Sequence, residues 1–310
     1  ARFLPFFKVS KTAAEAAVTV NRFGGVTGPV SVNFATSDTS AFAGTHYIAT
    51  SGTLTWADGD TAPKTINVPL INTAAPQAAR QFKVTLSSPS SGTTLTINTY
   101  AAVLIQDPTA TLSAPWSQTV VGGITDSSAA VTEAGSISSV TIGGAGLNGS
   151  ATSESGQFVY QSFTGDGVLT AFLPAGLPGD GNARHALMAR ASPTANNATM
   201  AAAVSSSTTG FGTKLYSRAG SGAGSVETPS AANALTFPRW VRLSRSSNVY
   251  GAETSLDGTE WTPVSTAFFT NMPATAYWGF FHTSSDWSVT GLGNYHLMQA
   301  QNVSLTALPD

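Results

Sequence analysis

Ala17-Val18-Thr19-Val20-Asn21-Arg22 alternates apolar and polar residues. The same period of two returns in Pro29-Val30-Ser31-Val32-Asn33-Phe34, Gly52-Thr53-Leu54-Thr55-Trp56, Thr65-Ile66-Asn67-Val68-Pro69-Leu70, Gln81-Phe82-Lys83-Val84-Thr85-Leu86 and Ala101-Ala102-Val103-Leu104-Ile105. Such a period sends successive side chains to opposite faces of an extended chain, so each stretch reads as a half-buried strand. Between them lie Gly24-Gly25, Asp58-Gly59-Asp60 and Ser87-Ser88-Pro89-Ser90-Ser91-Gly92, which supply the positive-φ and Asx-type residues that turns require. Short strands at this spacing predict a β-sandwich.

The pattern breaks at Asp107-Pro108-Thr109-Ala110-Thr111-Leu112-Ser113-Ala114-Pro115 and resumes at Trp116. Two prolines make this stretch short and stiff, so it reads as a boundary: a first domain over 1–108, a linker over 109–115 and a second domain over 116–310. Strands of the second domain include Gly156 to Gln161, Gly167 to Phe172, Ala186 to Arg190, Trp240 to Arg245 and Ala276 to Phe281. Ala-rich Thr12 to Ala17 and Thr199 to Val204 have helical propensity, but their β-rich flanks favour strand or loop.

Only 10% of the 310 residues are charged, against about 25% in ordinary soluble proteins. The surface is therefore built largely from Ser, Thr, Asn, Gly and Ala. A net charge of -2 with no run of Lys or Arg offers no field for a phosphate backbone, which argues against nucleic acid. Cysteine is absent, so neither disulfides nor thiolate metal sites are available. No apolar run reaches the roughly 20 residues of a membrane helix, so no membrane insertion is expected. Ala1 runs straight into Arg2-Phe3-Leu4-Pro5-Phe6-Phe7 with no signal-peptide h-region ahead of it, so any signal peptide is expected to have been removed already.

Val18 to Gly25, Val32 to Asp38, Ala43-Gly44-Thr45-His46-Tyr47, Ser51 to Trp56, Lys64 to Pro69 and Phe82 to Ser87 resemble the Calx-beta family nearly end to end over residues 1 to about 108. The resemblance implies a Greek-key sandwich that holds calcium at one end through acids from several loops. Here Lys11 stands where the first Glu belongs, His46 where an Asp precedes Tyr, and Asn72-Thr73-Ala74-Ala75 where an acidic run belongs. Only Asp38 and Asp107 remain. Calcium takes about six to eight oxygen ligands, so these positions are expected not to bind it. The Lys11 ammonium is expected to replace the ion and neutralise both carboxylates. Phe158 to Gly167, Leu187 to Arg190, Pro238 to Arg245 and Ser255 to Trp261 resemble concanavalin-like bacterial domains. The fold class expected is all-β, a Calx-beta sandwich followed by a larger concanavalin-like jelly roll.

Catalytic signatures are weak. Gly144-Ala145-Gly146-Leu147-Asn148-Gly149 fits a dinucleotide pattern by letter, but the polar segment after it is no helix. Asp166, Asp257 and Glu260 suggest a glycosidase pair, yet Asp166-Gly167 and Asp257-Gly258 read as hairpin turns. His46, His185, His282 and His296 are scattered, and no Gly-x-Ser-x-Gly elbow occurs. No catalytic residue, metal site or cofactor is expected. Trp240 and Trp278 read as core, whereas Trp287, with Asp286 and His282 in one loop, is the candidate glycan contact. Arg239, Arg242 and Arg245 read as a solvated strand face, with contact to acidic polysaccharide as the alternative. Phe3 to Phe7 reads as the domain's own first strand or as an edge that adds to a neighbour's sheet. The function expected is that of an extracellular, non-catalytic structural or adhesive protein, its partners copies of itself or extracellular polysaccharide. The alternative is a carbohydrate-binding module acting through the second domain.

Overall fold

The computed structural model describes residues 2–3, 6–73, 80–95, 99–107, 112, 114–122, 126–133, 136–142, 151–174, 184–206, 212–220, 222–228, 238–283 and 295–309. The chain divides into two compact units, the second beginning at Thr111. All the regular structure in the described residues is β. None of it includes a helix long and apolar enough to cross a membrane.

The first unit contains β1 (Arg2–Phe3), β2 (Phe6–Ser10), β3 (Glu15–Asn21), β4 (Val30–Asp38), β5 (Ser51–Trp56), β6 (Lys64–Pro69), β7 (Arg80–Ser87) and β8 (Tyr100–Gln106). Among the described residues they form a three-stranded sheet, β1-β3-β6, and a five-stranded sheet, β2-β8-β7-β4-β5. The apolar opening of the chain is consumed here: Phe3 pairs with Val20, and Phe6 to Ser10 run parallel to Ala102 to Gln106. This is the unit's own first strand, divided between two sheets. Alternation places Val18, Val20, Ile66 and Val68 of one sheet against Val32, Phe82, Val84 and Val103 of the other, all buried. Thr12 to Ala17 is a turn leading into β3.

The second unit is a jelly-roll sandwich built from β9 (Ser117–Val121), β10 (Asp126–Glu133), β11 (Ser136–Ile142), β12 (Gly156–Thr164), β13 (Gly167–Leu173), β14 (Arg184–Arg190), β15 (Met200–Ser205), β16 (Thr213–Arg218), β17 (Val226–Thr228), β18 (Arg239–Ser246), β19 (Val249–Ser255), β20 (Thr262–Phe268), β21 (Thr275–Thr283) and β22 (Tyr295–Ala307). Among the described residues they form two antiparallel seven-stranded sheets, β10-β11-β22-β13-β18-β19-β20 and β17-β16-β15-β14-β21-β12-β9. Leu112, within the stretch expected as linker, packs against the core of this unit together with Trp116.

The central strands β14 and β15 of the second of these sheets are buried on both faces. Leu187, Ala189, Ala201 and Ala203 enter the core between the sheets, while Ala186, Met188, Met200, Ala202 and Val204 join Phe158, Tyr216 and Phe281 on the opposite face. A strand buried on both sides loses its polar alternation, which is why Met200 to Val204 reads as an unbroken apolar run. At Gly279 a Cβ would fall 1.9 Å from the Val159 carbonyl oxygen, so β12 and β21 approach there only because the side chain is missing.

Asp166-Gly167 is not a hairpin turn. β12 and β13 belong to different sheets, and the turn carries the chain from one layer to the other. Its Asp166 Oδ2 accepts the Ser247 N–H at 2.7 Å.

Candidate functional site

Lys11 follows β2, Asp38 ends β4, His46 lies in the next loop, Asn72 follows β6 and Asp107 follows β8. These strand ends meet at one tip of the first sandwich. Lys11 Nζ lies 2.6 Å from Asp107 Oδ2, with the two side chains 8% and 1% exposed, and donates to the Thr73 carbonyl at 3.2 Å. Asp38 has other partners: its Oδ1 accepts the Tyr47 O–H at 2.6 Å and the Ala43 N–H at 2.8 Å. The expectation that Lys11 neutralises both carboxylates is therefore corrected. Asp107 takes the ammonium, and Asp38 is satisfied by a phenol and a peptide N–H.

The Tyr47 and Ala43 hydrogen bonds hold the Asp38 carboxyl below the usual carboxylate range, with the nearby His46 adding to the shift and burial opposing it. Burial, then the Asp38 hydrogen bond, pushes the Tyr47 phenol up. His46 Nδ1 accepts the Phe42 N–H at 3.0 Å and so closes the loop, while Asn72 is exposed. These groups do not fit a calcium ion, which needs about six to eight oxygens and gains from carboxylate charge. The two acids that remain are tied to Lys11 and to Tyr47. Tyr47→Phe is expected to cost about 1 kcal/mol. A depressed carboxyl pKa contributes stability that is present at neutral pH and lost as pH falls through the shifted value, so the variant should also be less acid-sensitive. Urea midpoints at neutral and acid pH check both.

In the second unit, burial gathers charges that are remote in sequence. Glu154, Arg190 and Arg218 have fully buried side chains. Arg218 Nη2 hydrogen-bonds Glu154 Oε2. Arg190 Nη2 lies 2.9 Å from Oε1, but its N–H is aimed at the Ala195 carbonyl, so that approach is a charge contact rather than an aligned hydrogen bond. Arg218 Nη1 donates to the Asn196 carbonyl at 3.1 Å, and that carbonyl also accepts the Glu154 N–H. The triad thus pins the β14–β15 loop. Arg190 lies 5.4 Å from the Phe158 ring and 5.7 Å from that of Phe281. Burial pushes its guanidinium down to about 10 against the pull of Glu154, and pushes the Glu154 carboxyl up against both guanidiniums.

His282, expected at a glycan-binding loop, is instead fully buried. It pairs across strands with His185, the rings stacked at 4.9 Å and 10°. Trp287 and Asp286 lie outside the described residues, as does the Gly144 to Gly149 pattern. The register sets Gln157, His282, His185, Ser205 and Thr213 in one buried row across five strands. The Ser205 and Thr213 hydroxyls are 2.8 Å apart, and Arg239 reaches Thr213 from the opposed sheet at 3.4 Å. Asp257 is spent on its own loop: Oδ1 accepts the N–H groups of Thr259 and Glu260 at 2.8 and 3.0 Å. Those bonds hold its carboxyl far below the usual range. Among the described residues no three His, Cys, Asp or Glu side chains are placed to share a metal ion.

Arg239, Arg242 and Arg245 do not form one solvated strip. Arg239 and Arg245 are 2% and 6% exposed on the core face of β18, beside Val241 and Leu243, and only Arg242 faces outward. Trp278 is buried as expected, whereas Trp240 is half-buried on the outward face of the same strand.

Residues 5–109 match the Calx-beta domain family. Among solved structures the chain is similar to the apo-form Calx CBD1 domain, at 27% identity over 34% of this chain and 94% of that one, with a TM-score of 0.33. It is also similar to a functionally unknown protein from Saccharomyces cerevisiae, at 16% identity over 62% of this chain and 97% of that one, TM-score 0.44. A third similar structure is the VIP36 exoplasmic/lumenal domain in its Ca2+/Man3GlcNAc-bound form, at 11% identity over 63% of this chain and 84% of that one, TM-score 0.40. A search of curated proteins finds no match.

Proposed function

We propose, starting from a Calx-beta domain at residues 5–109, that this chain is a non-catalytic extracellular structural or adhesive protein whose first sandwich is held rigid without calcium. The observation that carries this reading is the buried Lys11–Asp107 ion pair at the tip. A fixed ammonium supplies the positive charge there, so the tip's order does not follow the ion concentration around it. Three carboxylates of the second unit are likewise spent on structure: Glu154 on two arginines, Glu227 on Lys214 and Tyr216, Asp257 on its own loop. Sparse charge and a hydroxyl-rich surface suit packing against copies of the chain or against polysaccharide.

Thermal unfolding of the full chain should give the same midpoints in millimolar calcium and in excess chelator. A calcium-dependent rise in the first transition would sink the reading, because a ligand that binds only the native state must raise its stability. Negative-stain imaging tests the assembly half: ordered filaments or sheets support it, and monodisperse particles that bind no polysaccharide refute it.

A further inference from the structure

On the solvent side of β13, β18, β19 and β20, small residues such as Thr170, Ser244, Gly251 and Thr266 line part of the sheet. At one end it changes character. Phe172 and Trp240 are cross-strand partners with ring centroids 5.6 Å apart, tilted by 58°. Two residues further along β18, Arg242 is paired in register with Glu253 of β19 and bonds it in bidentate fashion, Nε to Oε2 at 2.5 Å and Nη2 to Oε1 at 2.9 Å. The Arg242 guanidinium sits 4.3 Å from the centroid of the Trp261 ring. The β19–β20 loop lies on the Trp240 indole so closely that a Cβ at Gly258 would fall 2.8 Å from it, and the loop runs on to Trp261. All three aromatics keep part of their surface in water.

We propose that this cluster is a binding platform for a neutral, extended polysaccharide chain. The inference rests on the polysaccharide partner of the preceding reading and places it on a sheet face rather than on the loop carrying Trp287. Two chemistries meet here. Pyranose rings present C–H groups that pack on the electron-rich face of an aromatic ring, and ring hydroxyls that need donors and acceptors beside it. Phe172, Trp240 and Trp261 supply the aromatic surface, with Trp240 backed by the Gly258 loop and Trp261 by the Arg242 guanidinium. Arg242 and Glu253 supply directional polar groups whose charges cancel, so the patch matches a neutral chain better than an acidic one. Small hydroxyl residues along the strands leave the flat surface that an extended chain requires. Aromatic residues of this size serve stability alone best inside the core, where Trp278 and Phe280 of the same unit lie.

The experiment is affinity electrophoresis and calorimetry of the full chain with xylan, cellohexaose and laminarin as neutral probes and alginate as the acidic one. Binding to at least one neutral probe is expected. Trp261→Ala and Arg242→Ala should each weaken it by roughly tenfold or more. Phe268→Ala removes another exposed aromatic of the same sheet and should leave binding unchanged. Melting curves show that each variant is folded, and Trp261→Phe, which keeps a ring in place and should retain part of the binding, provides a second readout if Trp261→Ala unfolds. Binding to none of the neutral probes, binding to alginate alone, or neutral-probe binding unaffected by Trp261→Ala and Arg242→Ala would overturn the proposal. None of these results alters the calcium response of the melt, so failure here and failure of the ion-independent scaffold are read separately.

Discussion

Glu154→Gln is expected to lower the stability of the second unit by about 3–5 kcal/mol, the cost of leaving buried charge without its counter-ion. The reason is the arithmetic of the triad: one carboxylate lies between two guanidiniums, all three side chains fully buried. Removing it strands two positive charges where water cannot reach them. The change reaches the β14–β15 loop as well, because the Ala195 and Asn196 carbonyls accept from these same two arginines. Urea unfolding at neutral pH, followed by intrinsic fluorescence, measures the change. The counter-experiment is decisive about cause. Replacing Glu154, Arg190 and Arg218 together by apolar residues of similar volume should recover most of the loss, because burying an ion cluster costs desolvation that hydrophobic packing does not. A triple variant as unstable as Glu154→Gln would show that shape, not charge, fixes this region.

Lys11→Met is expected to cost a similar amount, about 3–5 kcal/mol, in the first unit. Met retains most of the aliphatic stem but leaves the Asp107 carboxylate buried at 1% exposure without its cation. The double variant Lys11→Met with Asp107→Asn should be markedly more stable than Lys11→Met alone, and the difference, taken through a double-mutant cycle, isolates the pair. If Lys11→Met alone left the melting midpoint of the first transition unmoved, the ammonium would not be what holds the tip.

Most of the strands were legible from alternation, as in Val18 to Arg22 and Gln81 to Leu86, because a period of two follows directly from half-burial. Even Arg239 and Arg245 were decidable on the same ground. Both share parity with Val241 and Leu243, whereas Arg242 has the opposite parity, so a single basic strip was never geometrically available. His282 shares parity with Trp278 and Phe280, which places it on the core face. The Glu154 triad carried no such signal. Its partners lie 36 and 64 residues away, and only the packing of the β14–β15 loop and β16 on that sheet brings them together. Asp38 misled for a related reason: charge alone assigned it to Lys11, while the hydroxyl of Tyr47, nine residues on, was the nearer and better-aligned partner. Local pattern reports which face a residue takes; it does not report what waits on that face.

The parallel pairing of β2 with β8 joins the first and last strands of the first unit side by side, pointing the same way. Tension drawn between the two ends of that unit therefore runs along the ladder and loads its rungs together, in shear, instead of peeling them apart one at a time. The ladder is in this sense a mechanical clamp, built where the ends of the unit lie side by side.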